Sequence, residues 1–116
     1  MAKQAHHNQW VGVDLDGTLA HYAGYKGDSV VGAPIEPMVR KVKKWLYDGV
    51  EVRIFTARAP HPAIRKWCKE HLGEVLKITN TKDSGMIALY DDRAVGVERN
   101  SGEVFSPKNE SQVWRE

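Results

Sequence analysis

The sequence has one cysteine, Cys68, which is too few for an internal disulfide, and no Cys/His cluster has the spacing of a zinc site. No apolar run approaches the roughly 20 residues of a membrane span. The first nine residues, Met1 to Gln9, form a polar arm without the apolar stretch of a signal peptide. His6 and His7 in this arm read as solvated tail. Neither sign of charge dominates: 17 Lys and Arg against 15 Asp and Glu leave a net +2, too little to argue for nucleic acid on charge alone. Internal repeats and linker-like stretches are missing as well. These absences exclude a disulfide scaffold, a zinc module, a membrane-spanning protein and a solenoid. They point to a soluble protein of a reducing, cytoplasmic setting. At 116 residues the chain suits one domain and leaves little room for a second.

The pattern that is present alternates strands with helices. Trp10 to Leu15 reads as a short buried strand ending in a polar turn, Asp14-Leu15-Asp16-Gly17-Thr18, where Gly17 supplies conformational freedom. Residues 20–35 hold four glycine and proline positions, Gly24, Gly27, Gly32 and Pro34, and read as a loop or small hairpin, a flap after the first strand. From Pro37, a good first helical residue, Met38, Val39, Val42, Trp45 and Leu46 recur at helical spacing, with Arg40, Lys41, Lys43 and Lys44 on a solvated face. Gly49 stops this helix, and Val50 to Phe55 forms a second strand ending in Thr56-Ala57-Arg58. A second helix begins near Pro60 or Pro62, carries Ile64, Trp67, Cys68 and Leu72 on its apolar stripe, and ends at Gly73. Cys68 on that stripe is a packing residue. Further strands are expected at Val75–Thr79, Ile87–Tyr90 and Ala94–Glu98, with Glu103 to Phe105 returning as a C-terminal hairpin. The domain would span 10–105, followed by a polar tail over 106–116 in which Val113 and Trp114 are the apolar exceptions.

Strands alternating with helices imply an α/β fold with a parallel sheet, whose ligands collect beyond the carboxyl ends of the strands. Three strand ends carry reactive groups: Asp14 and Asp16, Thr56 and Arg58, Asp91 and Asp92. Four carboxylates brought together need a cation. Hard oxygen ligands of this kind suit Mg²⁺, which readily takes phosphate as a further ligand. Thr56 and Lys82 add donors for phosphate oxygens, and Gly17 would let backbone N–H groups after the first strand face an anion. With Asp14 and Asp16 in a turn, one carboxylate can attack phosphorus while the other handles the leaving-group proton.

These residues resemble the motifs of the haloacid dehalogenase (HAD) superfamily of phosphohydrolases. Asp14-Leu15-Asp16-Gly17-Thr18 looks like its first motif, Ile54-Phe55-Thr56 its second, Lys82 the lysine of the third, and Asp91-Asp92 the acidic fourth. The four occur in order across residues 10 to 92. The resemblance implies a doubly wound, Rossmann-like sheet and an aspartyl-phosphate route. Asp14 would be nucleophile and metal ligand. Asp16 would be general acid and base, with its backbone carbonyl on the metal. Thr56 would hold the phosphoryl group, and Lys82 would neutralise charge. Asp91 and Asp92 would bind Mg²⁺. Lys82 lies in a short connection where many relatives have a full helix, so Lys77 is a weaker substitute candidate. With only residues 20–35 and 58–81 between motifs, the chain resembles the capless branch.

Arg58 and Arg93 each follow a site residue, and both a substrate contact and a surface salt bridge fit them. His21, Tyr22 and Tyr25 stand in the flap beside the first motif, where substrate contact and loop packing are equally open. The expected partner is a phosphorylated substrate, either a small molecule or a polymer end. An open site keeps a nucleotidase or nucleic-acid end phosphatase as the alternative activity, and an oligomer could shield it. A non-catalytic module binding Mg²⁺ or phosphate is the alternative of another class.

Overall fold

Trp10–Asp14 forms β1, with its first four residues buried. The computed structural model describes residues 9–59 and 61–104. The polar arm, apart from Gln9, and the tail over 106–116 lie outside the described residues, as does Phe105.

Helix α1 spans Glu36–Tyr47 and β2 spans Val52–Phe55. The second helix, α2, runs Pro62–Leu72 and stops at Gly73, whose φ of 86° places it in the left-handed region that L side chains resist. Strands β3, Lys77–Thr79, and β4, Met86–Tyr90, complete a four-stranded, all-parallel sheet of order β3-β2-β1-β4. The register aligns Asp14 with Phe55 on one side and Val13 with Tyr90 on the other.

Period-two alternation explains which face is filled. Val11, Val13, Val52 and Ile54 point to one side and join Val39 and Val42 of α1 and Ile64, Trp67, Cys68 and Leu72 of α2 in a single cluster. Both helices therefore cover the same face. The amphipathic stripes expected for them are the ones buried, and the sulfur of Cys68 lies within the core.

The opposite face differs from the expectation of a doubly wound sheet. Strand order does reverse between β1 and β4, but among the described residues no helix covers the second face. The reason is the β3–β4 connection. Residues 80–85 must carry the chain from the carboxyl end of one edge strand to the amino end of the other. That path crosses about 14 Å of strand spacing and about 13 Å of rise, so it needs about 20 Å out of a contour of about 24 Å. A helix, at about 1.5 Å per residue, could not reach. The segment is instead a non-helical strap that ends in a turn, where the Met86 N–H donates to the Asp83 carbonyl at 3.1 Å. Asp83 on it accepts a hydrogen bond from the Trp10 indole at 2.8 Å and lies 3.8 Å from Arg53, whose guanidinium sits 4.4 Å from the Trp10 ring centre.

The fifth strand expected at Ala94–Glu98 is also absent. One antiparallel bridge joins Val97 to Val104, and the Glu98 N–H donates to the Glu103 carbonyl at 2.8 Å. Both valines are exposed, and a β-branched pair with nothing to pack against does not extend the sheet. Among the described residues, the C-terminal hairpin consists of this narrow tip. No helix among the described residues is long and apolar enough to cross a membrane.

Candidate functional site

Between β1 and β4 the strand order reverses, opening the crevice in which parallel sheets bind ligands. Asp14 ends β1, and Asp91 and Asp92 follow directly on β4. Each of the three offers a carboxylate oxygen within 4.8 Å of the others. Thr18 ties the two loops together. Its hydroxyl accepts from the Asp92 N–H at 3.0 Å and lies 3.1 Å from the Asp92 carboxylate and 3.4 Å from that of Asp14. Gly17 makes the approach sterically feasible: at a φ of +93° a Cβ would lie 2.6 Å from an Asp92 oxygen. Asp91 closes its own turn by accepting the Arg93 N–H at 2.8 Å.

Charge crowding is visible in Asp14. Burial raises its pKa from 3.8 to about 7, and Asp91 and a hydrogen bond with Asp92 push in the same direction. Among the described residues, the Thr18 hydroxyl opposes them.

The fourth expected carboxylate does not join this cluster. Asp16 turns to Arg58, which grips both of its oxygens, Nε at 2.9 Å and Nη2 at 3.1 Å. The same guanidinium donates to the flap carbonyls of Val30, at 2.7 Å, and Asp28, at 3.3 Å. Its side chain is 12% exposed, so this is a sheltered pair and not a surface contact. Bonding to Asp16 raises the Arg58 pKa above its already high ordinary value. The planar fork is what permits one residue to serve carboxylate and backbone together.

Thr56 is 7% exposed at the end of β2, where its hydroxyl accepts the Arg58 N–H at 3.1 Å and its own N–H donates to Thr79 at 2.9 Å. Four of the backbone donors after the first strand, those of residues 17–20, are used within the turn. Gly17 N–H donates to the Ala20 carbonyl, and the N–H groups of Thr18, Leu19 and Ala20 all donate to Leu15. The tight turn after β1 folds its own donors inward.

Neither lysine stands with the acids. Lys82 is exposed on the strap and makes no ion pair among the described residues. Lys77, at the amino end of β3, lies 4.0 Å from Glu51 and belongs to the other end of the sheet. The Arg93 side chain likewise makes no ion pair or hydrogen bond among the described residues, its contact being through the backbone.

Sequence reasoning gave Thr18 no role beyond its place in the motif and left Arg58 between two readings. The signal for Thr18 was its hydroxyl four residues after Asp14, on the same turn. Nothing local marked Arg58, because its partner is 42 residues away in sequence.

The flap is anchored at its root. Ala20 bridges Pro34, the His21 N–H donates to Ala33 at 2.8 Å, and the Trp67 indole donates to the Gly32 carbonyl at 2.8 Å. A side chain at Gly32 would collide with the His21 backbone. Among the described residues, two clefts flank the acids: one of about 280 Å³ between Asp16, Arg58 and the flap, and one of about 350 Å³ between Thr18, Lys41, Tyr90 and Asp91.

Compared with protein-family models, curated proteins and solved structures, the chain matches none.

Proposed function

We propose that this protein is a Mg²⁺-dependent phosphomonoester hydrolase in which Asp14 is the covalent nucleophile, as its motifs' resemblance to the capless HAD phosphohydrolases implies. The observation that carries the reading is the meeting of Asp14, Asp91 and Asp92 at the strand-order reversal of a parallel sheet.

The donor set fits the ion. Three carboxylates, one of them raised to about 7 by burial and its neighbours, form a site whose charge a hard divalent cation would neutralise. Asp14, Asp91 and Asp92 would hold Mg²⁺, which would screen the incoming phosphate and polarise a phosphoryl oxygen. An Asp14 oxygen attacks phosphorus, and the bond to the leaving alcohol breaks. Asp16 takes up a proton from solvent as one of its bonds to Arg58 opens, gives it to the departing oxygen, and then takes a proton from the water that attacks the aspartyl phosphate. Phosphate leaves, and Asp14 is regenerated. Thr56 donates to the phosphoryl group. Arg58 keeps Asp16 at the cleft, and one of its two bonds must open when Asp16 turns to the leaving oxygen. Lys82 is the proposed source of positive charge, reaching in from the strap.

The non-catalytic alternative, a module that binds Mg²⁺ or phosphate, is favoured by one observation: among the described residues no lysine contacts Asp14. Turnover of a generic aryl phosphate separates the two readings. Hydrolysis that needs Mg²⁺ and stops in excess EDTA is expected. Tight Mg²⁺ binding with no turnover of any phosphomonoester would favour the module.

A further inference from the structure

The cleft under the flap is walled by Asp16, Arg58, His21, Tyr22, Lys26 and Val30. We infer that it receives the alcohol half of the phosphoester and selects an alcohol bearing a planar ring and a second negative charge. The inference rests on the phosphatase reading and adds a substrate class to it.

Position comes first. Of the two clefts beside the acids, only this one is walled by Asp16, the residue that would meet the leaving oxygen. The other is lined by Asp91 and Asp92 and lies on the metal side.

Charge is the second argument. Asp16 and Arg58 cancel one another across bonds of 2.9 and 3.1 Å. The Asp28 carboxylate is held by the Tyr25 hydroxyl at 2.7 Å and does not line the cleft. Lys26 does line it, and makes no ion pair or hydrogen bond among the described residues. Asp28 acts on the cleft only from behind Arg58, so among the charged side chains that line the cleft Lys26 is the one with no partner among the described residues, and it is suited to an anion beyond the phosphate being cleaved.

Shape is the third. His21 and Tyr22 present flat rings, Tyr22 with 52% of its surface exposed, while Ala23, Gly24 and Gly32 leave space beside them. Flat rings stack with any planar group, because every such group has a π-face. The volume of about 280 Å³ falls at the small end of ligand sites, enough for one ring-bearing unit and too little to bury a polymer. The walls are held in advance: Arg58 fixes the carbonyls of Asp28 and Val30, and Trp67 fixes that of Gly32. Preorganised walls spare the ordering cost of binding.

The test measures binding, so that it does not depend on turnover. Asp14→Asn protein with Mg²⁺ is titrated calorimetrically with adenosine 3′,5′-bisphosphate, adenosine 3′-monophosphate and inorganic phosphate. The bisphosphate should bind at least about tenfold more tightly than inorganic phosphate, with Lys26→Ala removing most of its advantage over the monophosphate and Tyr22→Ala weakening both nucleotides. A 3′-phosphorylated dinucleotide distinguishes the source of the second anion. Binding equal to the bisphosphate marks a polymer end, and weaker binding marks a free nucleotide. Bisphosphate binding no tighter than inorganic phosphate, or unaltered by both substitutions, overturns the inference. The phosphatase reading is judged separately, by wild-type turnover of an aryl phosphate.

Discussion

Acidic residues gather at both ends of this sheet, to opposite effect. At the amino end Glu51 and Asp83 alternate with Arg53 and Lys77 around the buried Trp10. The pKa of Asp83 falls below 3.8, first because the Trp10 indole donates to it, then through the Gly85 N–H and Arg53. At the carboxyl end Asp14 is raised to about 7 by burial and by other acids. One end uses carboxylates to hold a strap on a sheet. The other holds a carboxylate in surroundings that penalise its charge, a pattern shared by functional sites and by some structural networks.

Five substitutions and one titration would break or sharpen that contrast. The largest effect is expected at Asp14. Asp14→Asn should reduce aryl phosphate turnover roughly 10⁴-fold or more, because no nucleophile remains. A variant within tenfold of wild type, by steady-state assay at saturating Mg²⁺, would remove Asp14 from the chemistry. Next is Lys82→Ala, expected to cost about 100–1,000-fold in kcat with the circular dichroism spectrum preserved. Lys77→Ala, at the structural end, should stay near wild type. The reverse result would transfer the catalytic charge to Lys77.

Gly17→Ala comes third. The strain of φ +93° and the collision with Asp92 should lower stability by roughly 1–3 kcal/mol in denaturant titration and weaken Mg²⁺ binding. Fourth is the pH dependence of the metal-free protein. Asp14 binds its proton more tightly folded than unfolded, so between about 4 and about 7 the folded state holds more protons and stability falls as pH rises. The loss should reach about 1–2 kcal/mol, reduced by the solvent that reaches the carboxylate. Mg²⁺ or Asp14→Asn should abolish it; an unchanged slope in Asp14→Asn would assign the effect elsewhere. The smallest effect is expected for Asp83→Asn, a slight fall in unfolding midpoint. Its depressed pKa stabilises above 3.8, so the difference from wild type should fade as pH falls below that value.

The two ends were not equally legible in the sequence. Helix stripes and buried strands read directly, because a period of 3.6 or 2 is a local property: Val39, Val42, Ile64 and Leu72 all pack as their spacing demands. Asp14, Asp91 and Asp92 could be brought together because parallel sheets align carboxyl ends at one edge. Asp16 could not be placed, since Arg58 is remote in sequence and competes for it. Ala94–Glu98 has strand composition, but among the described residues no neighbour buries Val97. The unhelical second face followed from a length, six residues of strap, and not from any residue type.

That strap has a mechanical consequence. It joins β3 to β4, the two outer strands, and about 20 Å of its about 24 Å contour is already used. With so little slack, neither border of the sheet can fray by more than a residue or two without tugging the other. Lys82 rides on this tether, so its reach toward the acids is governed by tension between opposite margins of the molecule. Loosening β3, some three strands from Asp91, would slacken the very segment that carries the proposed catalytic charge.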